Sequence, residues 1–116
     1  MHYQFDKKRR LLNKKDYDAV FSNAYRIKNN EFIILFCRNQ LGYARLGLAL
    51  SKKVIPKAHH RNRMKRILRE SFRLKPQLPD LDIVVLARPF VYQALPHQIR
   101  ANLGELWDTL SKQYAI

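Results

Sequence analysis

The stretch "RNRMKRILRESFR", Arg61–Arg73, places six Arg or Lys residues and one acid, Glu70, around Met64, Ile67, Leu68 and Phe72. At 100° per residue those four apolar positions span about 140° of a helical wheel, enough for one core-facing stripe. Asn62, Arg66, Arg69 and Arg73 follow the i, i+4, i+7, i+11 spacing on the opposite side, with Arg63 and Lys65 flanking them. The segment therefore reads as an amphipathic helix and not as a disordered basic tail. A solvated helix face normally mixes signs, because Glu–Lys pairs one turn apart help and like charges repel. This face is almost purely cationic. Its guanidinium groups match phosphate oxygens two at a time. Nucleic-acid binding is the leading reading, with a membrane-surface role and a merely solvated basic face as alternatives. The membrane reading lacks the surplus Trp or Phe that such a helix carries.

Elements on either side follow from periodicity. The helix runs from about Lys57 to Leu74, and Pro76 and Pro79 bar its continuation. Upstream, "NKKDYDAVFSNA" reads as a short helix with Asn13 as N-cap and Asp16 three residues on. Its Tyr17, Val20, Phe21 and Ala24 share one side. "EFIILFCRN" and "ARLGLALSK" read as strands, and the short Gly-containing link "NQLGY" predicts that they form a hairpin. "LDIVVLAR" is apolar enough to be a central strand. Pro96 opens a last helix with the stripe Ile99, Leu103, Leu106, Trp107 and Leu110. Trp107 is assigned to the core. The order helix, strand, strand, helix, strand, helix predicts an α+β domain with helices packed on one mixed sheet.

The chain has 116 residues, which fits one domain spanning 1–116, with 1–12 expected to be a flexible basic segment. Lys and Arg number 23 against nine Asp and Glu, a net charge of +14. The charge is uneven: +5 over residues 1–30, +9 over 51–75 and −1 over 76–116. Such an excess repels itself on compaction, and a polyanionic partner relieves it. Arg9, Arg10, Lys14 and Lys15 read equally well as a plain basic tail, and Arg45 and Arg88 as structural. The single cysteine, Cys37, excludes an intrachain disulfide and reads as a strand thiol, not a nucleophile. The longest apolar run, Phe32–Cys37, is too short to span a bilayer, and no secretory leader is visible. A reducing cytoplasm is the expected compartment. His59 and His60 lack companions for a metal site or for nuclease chemistry, so no catalytic and no metal-ligating residue is assigned.

These residues resemble a known family. "RNRMKRILRESFR" is similar to the signature helix of the bacterial ribonuclease P protein subunit. "RLGLALSKK" (Arg45–Lys53) resembles that family's Arg-x-Gly strand ending in Lys-Lys. "RLL" with "DYDAVF" (Arg10–Phe21) resembles its first helix and lead-in, and "DIVVLAR" (Asp82–Arg88) the strand after the signature helix. Together they cover nearly the whole chain in order.

The resemblance implies a two-layer α/β sandwich like the second domain of ribosomal protein S5, with a left-handed βαβ crossover through the basic helix. It implies a protein subunit of an endoribonuclease whose RNA component hydrolyses a phosphodiester at the 5′ end of tRNA. Mg²⁺ then goes with the RNA, and the polypeptide alone is inactive. Implied partners are ribonuclease P RNA and precursor tRNA, with one protein monomer per RNA and no membrane. Arg61, Asn62, Arg63, Lys65, Arg66, Arg69 and Arg73, with Lys52 and Lys53, are implied contacts to the catalytic RNA. Tyr17, Phe21 and Leu35 are implied to line a cleft for the 5′ leader. Tyr17 stands where Phe is common, and Leu35 where some members have an aromatic residue. Without the resemblance, a plain core pair one turn apart stays open as the lesser alternative for Tyr17 and Phe21. A ribosome-associated RNA-binding protein and a stand-alone nuclease are the competing functions.

Overall fold

The computed structural model describes residues 7–75 and 78–114. Its elements are α1 (Lys14–Asn23), β1 (Tyr25–Lys28), β2 (Phe32–Arg38), β3 (Arg45–Ala49), α2 (Ala58–Arg73), β4 (Leu81–Ala87) and α3 (Pro96–Tyr114). Short 3₁₀ turns lie at Lys7–Arg9 and Pro89–Gln93. Asn13 caps α1 by accepting from the Asp16 amide at 2.9 Å, as its position predicts. The residues α2 buries are Met64, Ile67, Leu68 and Phe72, the stripe read from the wheel.

The sheet order is β1-β2-β4-β3. β4 is antiparallel to β2 and parallel to β3, so β3–α2–β4 is a parallel crossover through the basic helix. This corrects the expected hairpin: β2 and β3 are not neighbours, because β4 lies between them. The reason is in β4 itself, whose residues 81–85 are all buried. A strand apolar on both faces is most stable with partners on both edges. β2 takes its hairpin partner from upstream instead. There the Asn29 side-chain oxygen accepts from the Glu31 and Phe32 amides at 2.9 and 2.7 Å, closing a tight β1–β2 turn. β1 is a four-residue strand with a largely exposed, half-charged sequence, so periodicity gave no sign of it.

Strand alternation divides the apolar residues between two faces. Phe32, Ile34 and Phe36 of β2, Ile83 and Val85 of β4 and Leu46 of β3 pack against α2 and α3 in one continuous core. Trp107 is fully buried there, donates from its indole nitrogen to the Ser71 hydroxyl at 2.7 Å, and meets Phe72 edge-on at 6.0 Å. The opposite face carries α1, anchored by Val20 over Val84, with Leu11 beside them.

The N-terminal segment, expected to be flexible through residue 12, is docked where described. Arg10 bridges to Leu46, and the Leu11 amide donates to the Leu46 carbonyl at 2.9 Å. The Arg9 guanidinium lies 4.7 Å from the centre of the Phe72 ring. The outer edge of β3 otherwise exposes unpaired backbone groups, and this segment covers it. Residues 1–6 lie outside the described residues.

Candidate RNA-binding surface

α2 has its apolar stripe against the core, so most of its polar residues face outward. Lys65, Arg66 and Arg69 are in no ion pair among the described residues. They join Asn62, Glu70 and Arg73 around a groove of about 360 Å³, whose remaining wall is Arg10 of the docked N-terminal segment. Arg10, for which charge alone leaves a plain basic tail as an equal reading, thus lines this groove. The signal was its place in the "RLL" lead-in. A second hollow of about 190 Å³ adjoins the first and shares Arg10, Lys65 and Arg69 with it. Tyr17, Leu46 and Leu48 line its other side, so the α2 surface runs continuously to α1.

Two arginines of the signature stretch stand apart from the groove. Arg61 donates from one terminal nitrogen to the carbonyls of Ile55 and Pro56, both at 2.8 Å, and so clamps the turn that leads into α2. The wheel carries that signal, because Arg61 falls within the apolar stripe, between Leu68 and Phe72. Arg63 turns to the other flank, where it lines an apolar hollow with His60, Met64 and Ile99. Lys52 and Lys53 are exposed in the turn after β3.

The cleft residues also divide. Tyr17 is half-buried, with its ring over Gly47 and its hydroxyl accepting from the Leu48 amide at 3.1 Å. A Cβ at Gly47 would sit 2.8 Å from that ring. The glycine of the Arg-x-Gly strand is therefore the seat of Tyr17, and Tyr17 holds α1 to the sheet. Phe21, one turn on, is 47% exposed. Leu35 is half-buried on the sheet face that carries α1, directly opposite Arg26 of β1 and Val84 of β4.

A partly buried polar cluster around Asp82 ties α1 to the sheet. Arg45 grips Asp82 with two bonds of 2.8 and 2.7 Å and reaches Asp16 of α1 at 3.5 Å. Asn39 donates to the same Asp82 carboxylate at 2.9 Å. The bond to Asp82 holds the Arg45 guanidinium above its ordinary range. Burial, with the neighbouring Asp82 charge, pushes the Cys37 thiol up, so the thiolate is disfavoured. Among the described residues no three His, Cys, Asp or Glu side chains are grouped to hold a metal ion. No described helix is long and apolar enough to cross a membrane.

The family model described as Ribonuclease P matches residues 5–111. A Ribonuclease P protein component from Legionella pneumophila (strain Corby) is 52% identical over 112 residues, covering 97% of both chains. One from Marinobacter nauticus is 43% identical, covering 95% of this chain and 84% of the relative. The solved structure of the Staphylococcus aureus RNase P protein superimposes with a TM-score of 0.80 at 29% identity, covering 90% of this chain and 95% of that one. With the crossover helix, its largely cationic outer face and the matching motifs all in place, this chain belongs to the ribonuclease P protein family, the protein subunits of the ribonucleoprotein that matures tRNA 5′ ends.

Proposed function

We propose that the α2 groove binds the catalytic ribonuclease P RNA and that the cleft between α1 and the sheet holds the 5′ leader of precursor tRNA. The observation that carries this is the convergence of Arg10, Asn62, Lys65, Arg66, Arg69 and Arg73 on one groove continuous with the Tyr17 hollow. Phosphates of a folded RNA satisfy such a cluster, and their counterions are released on binding. In this reading Arg61 acts indirectly by fixing the start of α2, while Arg63, Lys52 and Lys53 extend the contact along its flanks. Exposed Phe21 supplies a ring for a leader base, and Leu35 part of the apolar floor. In this reading Mg²⁺ acts with the RNA component. One protein monomer joins one RNA, in the cytoplasm.

Reconstitution tests this. Protein freed of RNA should leave precursor tRNA intact until ribonuclease P RNA and Mg²⁺ are added. Arg66→Ala and Arg69→Ala should each weaken assembly with the RNA and flatten the log–log salt dependence by about 0.7–0.9. Cleavage by the polypeptide alone would support the stand-alone nuclease. Salt-independent assembly would remove the phosphate groove.

A further inference from the structure

The strand register defines rows of side chains that cross the sheet on the face carrying α1. One row is Arg26, Leu35, Val84 and Gly47. The next is Lys28, Ile33, Leu86 and Ala49. Directly opposed residues point to the same face, so Arg26 and Lys28 stand over the cleft side although β1 lies at the far edge. Val84 is buried beneath Val20 of α1, whereas Ile33, Leu86 and Ala49 are only half-buried. The second row is therefore an apolar floor that the protein leaves partly open.

Cations bracket this floor. Arg26 and Lys28 are exposed at the β1 edge, and neither is in an ion pair among the described residues. Lys52 and Lys53 stand exposed just beyond Ala49 at the other edge. From β1 to β3 is three strand spacings, about 14 Å. An apolar strip of that width between two pairs of unpaired cations suits a single strand laid flat, with bases on the floor and phosphates at the rims.

We infer that the leader crosses the sheet along the Lys28–Ile33–Leu86–Ala49 row and that Arg26 and Lys28 hold phosphates of its far nucleotides. This rests on the reading that the cleft takes the leader. The polarity follows from the fold. α2, the proposed contact to the catalytic RNA, packs beside β3, so nucleotides near the scissile bond lie on that side. The β1 edge receives those furthest from it.

The test is binding of precursor tRNA by reconstituted holoenzyme while the leader is shortened one nucleotide at a time. Arg26→Ala/Lys28→Ala should weaken binding of a long-leader substrate roughly five- to tenfold at low salt and flatten its salt dependence by about 1.4. That deficit should disappear at a longer leader length than the deficit of Phe21→Ala. Mature tRNA affinity and the melting temperature should be unchanged, and Arg26→Lys should retain most of the binding. A leader-dependent loss in Phe21→Ala without one in Arg26→Ala/Lys28→Ala would overturn the β1 track and keep the leader cleft. If neither variant separates precursor from mature tRNA, the cleft reading falls with it. Equal loss for mature tRNA in the double variant would move Arg26 and Lys28 to another RNA contact and overturn the inference.

Discussion

The two faces of the one sheet are built from the same strands and serve opposite ends. Toward α2 and α3, Phe32, Ile34, Phe36, Ile83 and Val85 are sealed under two long helices. Toward α1, a single ten-residue helix covers part of the surface and leaves Ile33, Leu35, Leu86 and Ala49 half-buried. The alternation of a strand gives both faces similar apolar content, so composition does not decide which is core. Helix coverage does. The sealed face holds the fold together, and the open face keeps apolar surface and cations available, at some loss of stability.

The contrast is broken most severely at Trp107. Trp107→Ala should destabilise by about 3–5 kcal/mol, since it empties a fully buried site and strands the Ser71 hydroxyl. Denaturant unfolding checks this. The variant's leader-dependent binding should be normal wherever the protein remains folded.

Arg45→Ala strikes the joint between the faces. It leaves buried Asp82 with Asn39 as its main donor and cuts the tie to Asp16, a loss of about 2–3 kcal/mol. Because α1 loosens, precursor tRNA affinity should fall more than mature tRNA affinity. Arg45→Lys should restore little, as an ammonium cannot make the two-pronged grip.

Phe21→Ala touches the open face alone. Stability should change by less than about 0.5 kcal/mol, because the ring is half in solvent. Holoenzyme affinity for precursor tRNA should drop about five- to hundredfold, the worth of roughly 1–3 kcal/mol of stacking, with mature tRNA spared.

Gly47→Ala sharpens the comparison further. Its new Cβ meets the Tyr17 ring and should cost about 1 kcal/mol while displacing α1. In a Tyr17→Ala background the same change should cost nothing, and a double-mutant cycle measures that difference.

The smallest effect belongs to Lys75, just past the end of α2, and Asp108 of α3, which pair at the surface. Lys75 holds the Asp108 carboxyl below its ordinary 3.8. Its contribution is present above that value and is lost as pH falls through the lower folded value. Lys75→Ala should therefore shift the melting temperature slightly at neutral pH and not at all in strong acid.

Much of this was written locally. The α2 stripe, the cationic face behind it, the Asn13 cap, the α3 stripe and the centrality of β4 are all matters of period and neighbour, which a helix or strand imposes on its own sequence. Motif resemblance added the family and the crossover. Other features depend on pairing between distant segments, which carries no local period. The insertion of β4 between β2 and β3, the docking of Arg10 against α2 and the seat of Tyr17 on Gly47 are of this kind. So is the face on which Arg26 and Lys28 stand, since a one-residue change of register reverses it. The sequence by itself determined which residues are apolar, which are charged and which helix has a largely cationic face. Only the tertiary structure decided which of those charges meet, because strand order and register are settled by contacts made far along the chain.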